Sequence, residues 1–486
     1  MKKAFFFALF ILFATTTARA EVRLWPVPEG EPVSDIWSLE VNGEPAGVLT
    51  ARTADPPFEK YDFGGEYGFV SLDADEPVVL KFREKTGVSL DDLTVRPLSL
   101  GLTPTKNADG SFELKIDKPC QISVEPNGRK NPILVFVNPL EKDVPDANAP
   151  NVRYFGPGVH NPEGGKISLK SNETLYLAPG AVVRCGVEVN GENVRICGRG
   201  VIDSNPWKWR EGPTGHVVSM FGSKNVSLEG VIIRGASHWT VVPVNCDGVF
   251  IDNIKICGGR VQNDDGINPC NSRNVRVVNT FIRSDDDCMA LKGLNLEYGN
   301  CEDIAVENCV FWCDRARTVL MGHESRAPYM RRITFKNIDI IRSQARNFLL
   351  EPGERMILED VVFDGIRFET GPQNALNPEE LAKKVDSSGL RFDVDTANRE
   401  NWLFVGRPVV NQYMQIKEPG HIKNVVIRNI SVVGPTSYAG FLFSGSDEAH
   451  RTDGLTIENV EAFGKKIGPG APTIHLGDFL DNVEVK

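Results

Sequence analysis

At 486 residues the chain is too long for one ordinary compact core, so two domains or one elongated repeat are expected. Its composition, 41% hydrophobic and 24% charged, is that of a folded globular protein. A formal net charge of −11 speaks against a nucleic-acid binder, which needs basic surface, and gives no general attraction to an acidic polymer.

Residues 1–20, "MKKAFFFALFILFATTTARA", join Lys2 and Lys3 to an apolar run ending at Ala14, then the small-x-small sequence Ala18-Arg19-Ala20. That is the pattern of a secretory signal peptide, and the run is too short to span a bilayer. A secreted or periplasmic protein without a membrane span is expected. Residues 21–145 hold short β patterns ("WSLEVNG", "EPVVLKF", "FELKI", "PILVFVN") between Gly, Pro, Asn and Asp turns, which read as a β-sandwich. "NPLEKDVPDANAPN", Asn138–Asn151, reads as a linker.

Residues 146–486 carry a loose repeat: "NVRICGRGVID", "NVSLEGVIIRG", "GVFIDNIKICG", "NVRVVNTFIRS", "DIAVENCVFWC" and "RITFKNIDIIR". The first β-branched residues of these units are Val194, Val226, Val249, Val275, Ile304 and Ile333, in steps of 32, 23, 26, 29 and 29. Short strands without regular helices at that period make a parallel β-helix, expected here to be right-handed. The repeat breaks at 368–420, where "NPEELAKKV" looks helical, so an excursion from one face is expected. Nine of the ten cysteines fall between Cys185 and Cys313, mostly in apolar strand-like runs, and are expected to be buried.

Two acidic clusters stand out, Asp264-Asp265 and Asp285-Asp286-Asp287. Asp265 lies 21 and 22 residues before Asp286 and Asp287, about one coil. Successive coils stack about 4.8 Å apart, so the clusters become neighbours. Adjacent strand residues point opposite ways, so Asp286 and Asp287 share a cleft only if the chain bends there. Glycoside hydrolysis needs such a set: one carboxylic acid protonates the leaving oxygen, and another carboxylate activates water. A solvated acidic turn or a Ca²⁺ site are the plain alternatives. The apolar flanks in "FIRSDDDCMAL" favour an embedded site. Asp264 and Asp285 are expected to be spare members facing solvent.

"NDDGINP…SRNVRVVNTFIRSDDDCMALK" resembles the core of the pectin-lyase-like β-helix glycosidases, the clan joining glycoside hydrolase family 28 (polygalacturonases) and family 49 (dextranase and isopullulanase). Asn263, Asp265, Gly266, Asp286, Asp287, Cys288 and Lys292 match the family 28 pattern. The resemblance implies Asp286 as general acid and Asp265 with Asp287 as the pair activating water, with inversion and an α-linked substrate. Two family 28 motifs depart. The Gly-His-Gly position reads "DRARTVLMGHE", leaving His323 as the available His. The Arg-Ile-Lys position reads "RNFLLEPG", where Glu351 stands in place of a carboxylate-binding Lys and would repel galacturonate. The N-terminal sandwich, the triple Asp and the missing carboxylate reader resemble family 49.

The expected substrate contacts are Asn263, Lys292, His323, Arg317, Trp207, Trp209, His238 and Trp239. The tryptophans would stack on sugar faces. No metal or cofactor is expected; the partner is a carbohydrate, and a monomer is expected. The leading function is an exported inverting hydrolase of a polysaccharide or oligosaccharide. The alternatives are a polysaccharide lyase using Ca²⁺ with Arg317 as base, and a non-catalytic carbohydrate-binding β-helix.

Overall fold

Burial periodicity separates two architectures along the chain. Trp37–Val41 and Phe112–Ile116 bury every second side chain, as strands do with one face on a core and one in water. Ile133–Asn138, "ILVFVN", is buried at every position, which requires cover on both faces. The computed structural model describes residues 21–58, 64–87, 93–126, 130–343, 346–370, 402–434 and 439–486. The expected signal peptide, the helical pattern "NPEELAKKV" and residues 371–401 of the expected excursion lie outside these residues.

The N-terminal part is a sandwich of a five-stranded and a six-stranded sheet. Trp37, Leu39, Phe82, Leu114, Ile122 and Val135 fill the space between them. The other face of the six-stranded sheet is also covered. Tyr67, Phe69, Leu134 and Phe136 pack there on Val201, Ile232, Phe281 and Trp312 of the second architecture. That second contact explains the unbroken apolar run at Ile133–Asn138.

From Val152–Phe155 onward the chain is a parallel β-helix. A 19-stranded sheet takes two strands from each early coil and, from Cys301–Cys313 onward, one long bent strand that pairs along both. Val194, Val226, Val249, Val275, Ile304 and Ile333, which the repeat had aligned, are successive register partners in it. Asn residues bend the coils, most of them within the strands themselves. Asn193, Asn225, Asn279, Asn308 and Asn337 all have φ between 51° and 58°, the left-handed region that Asn tolerates. Their amides also donate upward, Asn225 to Asn193 at 2.7 Å and Asn337 to Asn308 at 2.6 Å. Inside, Phe348, Phe404 and Phe441 stack rung on rung, with ring planes 11° and 3° apart. Trp402–Gly406, which falls within the expected 368–420 excursion, is a strand of the remaining face.

That remaining face positions the site. It consists of a four-stranded sheet ending at Val241–Val244 and a six-stranded sheet beginning at Met289–Leu291. One coil between them has no strand there. It is tied in only by parallel bridges, Val241 to Ile267 to Met289 and Val244 to Cys270 to Lys292. Gly266 makes this close approach possible, since a Cβ there would meet the Cys288 carbonyl at 2.4 Å. The break in regular pairing falls where both acidic clusters lie.

Candidate active site

His216, Trp239, Asp265, Asp287 and Arg317 each stand two residues before the register partners Val218, Val241, Ile267, Met289 and Val319. They therefore form one column along one face of the helix. Backbone bonds stitch it: Val217 N–H to Trp239 O at 3.2 Å, Thr240 to Asp265 at 2.8 Å, Gly266 to Asp287 at 2.9 Å, and Cys288 to Arg317 at 3.2 Å. The coil partner of Asp265 is thus Asp287.

The acidic residues take different environments because the chain turns a corner between Phe281–Ser284 and Met289–Leu291. Asp286 O accepts from Ser284 Oγ at 2.7 Å and from Cys313 Sγ at 3.3 Å, which holds that corner. Asp286 keeps 14% of its side chain exposed, against 3% for Asp265 and 1% for Asp287. It is the carboxylate an incoming molecule reaches. Asn263 Nδ2 donates to its Oδ2 at 3.4 Å, and Arg315 Nη2 lies 3.8 Å away.

Asp287 is gripped by Arg317, through the backbone N–H at 3.0 Å and Nη2 at 2.8 Å. Burial nonetheless pushes its carboxyl up to about 6, against the pull of Arg317. Asp265 Oδ2 accepts from Asn268 Nδ2 at 2.8 Å and lies 3.8 Å from Lys292 Nζ. Its Oδ1 is buried without a partner. Burial first, then the charge of Asp286, holds the Asp265 carboxyl well above the usual carboxylate range. Lys292 Nζ donates to Glu324 Oε2 at 2.7 Å and sits 3.8 Å from the Trp239 ring centroid. Burial works against its charge, but Asp265 and Glu324 outweigh it, and its pKa is raised.

Asp264 and Asp285 correct the reading of spare, solvated carboxylates. Asp264 is fully buried and Asp285 is 4% exposed. Asp285 accepts two bonds from Arg315, at 2.8 and 2.6 Å. Asp264 accepts four backbone N–H groups. A corner leaves backbone donors unpaired, and acidic side chains satisfy them.

Of the expected substrate contacts, Asn263, Lys292 and Arg317 bond or lie beside the three carboxylates. His238 and Trp239 stack with His216 in one aromatic group, with centroids 5.2 to 5.4 Å apart and planes within 15°. Burial, His238 and Lys292 push His216 down to about 4, so that ring is neutral at neutral pH. Trp209 meets Phe58 of the sandwich edge-on at 5.1 Å and carries Arg210 over its ring at 4.7 Å. Arg210 Nη2 in turn donates to Asn263 Oδ1 at 3.0 Å. Trp207 is half-buried beside this segment, and its carbonyl accepts from Arg260. His323 makes its side-chain bond elsewhere, Nδ1 to Glu351 Oε2 at 2.6 Å, with Tyr413 edge-on at 5.0 Å. Glu351 also lies 3.4 Å from Arg407. Its charge is met twice within the protein, which weakens the expectation that it repels an acidic sugar.

Sequence reasoning missed His216 and Asn268. His216 was findable, because aligning Val218 with Val241 puts it directly under Trp239. Asn268 has no such signal; it is an Asn in a segment that forms no strand on that face.

Residues 176–312 match the family model "Glycosyl hydrolases family 28". A "Probable exopolygalacturonase B" of Aspergillus terreus is 27% identical over 157 residues, 28% of this chain and 34% of that protein. A "Probable polygalacturonase" of Vitis vinifera is 30% identical over 121 residues, 23% of this chain and 24% of that protein. The chain thus spans about a third or less of the length of these curated relatives. Among solved structures, Dex49A from Penicillium minioluteum aligns over 94% of this chain and 97% of its own, with TM-score 0.58 and 15% identity. Residues 176–312, which hold both acidic clusters, are therefore similar to glycosyl hydrolases family 28, within a parallel β-helix whose fold Dex49A shares along nearly the whole chain.

Proposed function

We propose that this chain is an exported inverting glycoside hydrolase, cleaving α-linked O-glycosidic bonds of a polysaccharide or oligosaccharide. One observation carries the reading: three carboxylates meet at one corner, one reachable and two buried against cations. Asp286 serves as general acid. Asp265 and Asp287 activate water, with Arg317 and Lys292 orienting them. His238, Trp239, Asn263 and the Trp207–Trp209 segment line the substrate path, and His323 borders it downstream.

The charges fit the task. In the free protein burial favours a proton on Asp265. Inverting hydrolysis needs a proton on the acid and charge on the base pair, and a proton passed from Asp265 to Asp286 as the sugar seats supplies both, with Lys292 beside the charge left on Asp265. Arg317 does not suit the lyase alternative. Burial opposes its charge, but Asp287 and Asp286 more than offset that, so its guanidinium stays protonated and cannot act as a base.

The experiment is a screen of plant, algal and microbial glycans with product NMR, run on wild type and Asp286→Asn. The screen reads linkage, anomeric stereochemistry and whether an acidic or neutral glycan is cut. Asp286→Asn is expected to lose about a thousandfold in kcat while glycan binding persists. Near-normal turnover in that variant would end the assignment. Binding without any product from wild type would favour the carbohydrate-binding alternative.

A further inference from the structure

We infer that Asp264 is the positioning residue that fixes Asp286, and that the N-terminal sandwich braces it from outside. The catalytic half of this inference rests on the proposed function; the structural half does not. Asp264 Oδ2 accepts the N–H groups of Gly259 at 2.7 Å and Arg260 at 3.0 Å. Its Oδ1 accepts those of Asp285 at 2.6 Å and Asp286 at 3.4 Å. Donors from two segments a coil apart thus converge on one fully buried side chain. Gly259, at φ 91°, adopts a backbone conformation that other residues rarely reach, and its N–H meets the carboxylate there.

Burial and the charge of Asp285 push the Asp264 carboxyl up, and the N–H bonds pull against them. Each oxygen accepts from one segment, whereas an Asn would aim an amide nitrogen at two N–H donors. Behind the clamp stands the sandwich. Ala54 N–H donates to Gly259 O at 3.0 Å, and Asp55 N–H to Arg260 O at 2.8 Å. Asp55 Oδ2 also accepts from Arg260 Nη1 at 3.1 Å. A second line runs from Phe58 through Trp209 and Arg210 to Asn263, whose amide reaches the Asp286 carboxylate. Asp286 is thus held by its backbone through Asp264 and by its side chain through Asn263. Both lines start in residues 54–58.

Hydrogen exchange of Asp264→Asn is the decisive measurement. Amides at 259–260 and at 285–286 are expected to exchange at least about tenfold faster, both together. On the glycan found in the screen, kcat is expected to fall about a hundredfold with KM within about twofold, the signature of a misplaced acid. Asp303→Asn, which breaks an exposed pair with Arg332, serves as control and leaves 285–286 unchanged. If Asp264→Asn does not fold, Asp55→Ala loosens the clamp from outside and accelerates the same two segments less strongly. Acceleration confined to 259–260 would overturn the clamp, as would unchanged kcat in a folded variant. If wild type cleaves no glycan, the proposed function fails, yet the exchange pattern still decides whether Asp264 ties the two segments together.

Discussion

Arg317 bonds Asp287 twice, once from the backbone and once from the guanidinium, so that its two donors occupy both carboxylate oxygens. The pairing follows from the coil, because Arg317 stands one rung beyond Asp287 in the same column. It also opposes the burial that pushes Asp287 up to about 6. In Arg317→Gln burial acts with less opposition, and the carboxyl rises further. A base is lost when protonated, so the acid limb of the kcat/KM profile is expected to move to higher pH. The loss of activity should be largest below about pH 7 and shrink toward alkaline pH. A profile that drops uniformly, with its acid limb unmoved, would contradict this role for Arg317.

Asp265 carries the opposite signature, a group that the proposed function needs and stability does not. Its Oδ1 is buried without a partner, and burial raises its pKa. A carboxyl raised in the folded state destabilises it once ionised, so the penalty is present above the folded pKa. Below the unfolded value, about 4, both states are protonated and the penalty disappears. Asp265→Asn removes the charge while Lys292 keeps Glu324 as its partner. Its Tm is expected to exceed that of wild type at pH 8, with the gain vanishing near pH 4, while kcat falls by about a thousandfold. Calorimetry at the two pH values checks the sign; a lower Tm at pH 8 would show Asp265 to be stabilising.

The rung arithmetic was legible in the sequence because strand spacing turns a 22-residue step into contact between Asp265 and Asp287. The six aligned β-branched residues were legible for the same reason, since each fills the same interior place in its coil. Asp264 and Asp285 were misread. Alternation predicts outward side chains in a regular strand, but these residues sit at a corner whose unpaired N–H groups and Arg315 draw them inward. The Asp-Asp repeat could not signal this, because a solvated carboxylate and one capping backbone donors look alike in a sequence. The second cover over Ile133–Asn138 was likewise hidden, because it comes from Phe281 and Trp312, far along the chain.

All ten cysteines are free thiols in the structure, and nine are buried. Burial pushes Cys257, Cys301 and Cys309 up to about 12, which suppresses the thiolate that reacts. Native protein is therefore expected to react negligibly with a thiol reagent over minutes, then to release ten equivalents in denaturant. Its Tm should not change with reductant. A reductant-dependent fall in Tm would reveal a disulfide and overturn the reading.

Arg283 joins the two architectures. Its guanidinium lies between Tyr67 of the sandwich, at 4.2 Å, and Trp312 of the β-helix, at 4.3 Å. Its Nε donates to Asp314 Oδ2 at 2.9 Å, with both side chains fully buried. Tyr67 Oη completes the joint by donating to Gly258 O at 2.8 Å, next to the loop that Asp264 clamps. Asp314→Ala leaves a buried cation without its counter-ion and is expected to cost about 3–5 kcal/mol. Tyr67→Ala removes a packed aromatic, at a similar cost of about 3–5 kcal/mol, and takes away one face of the Arg283 sandwich. With the joint intact, the sandwich cannot unfold without exposing Phe281 and Trp312, so one calorimetric transition is expected for wild type. Tyr67→Ala should split it, the sandwich melting first and the β-helix later. Two transitions already present in wild type would mean that the joint does not couple the halves.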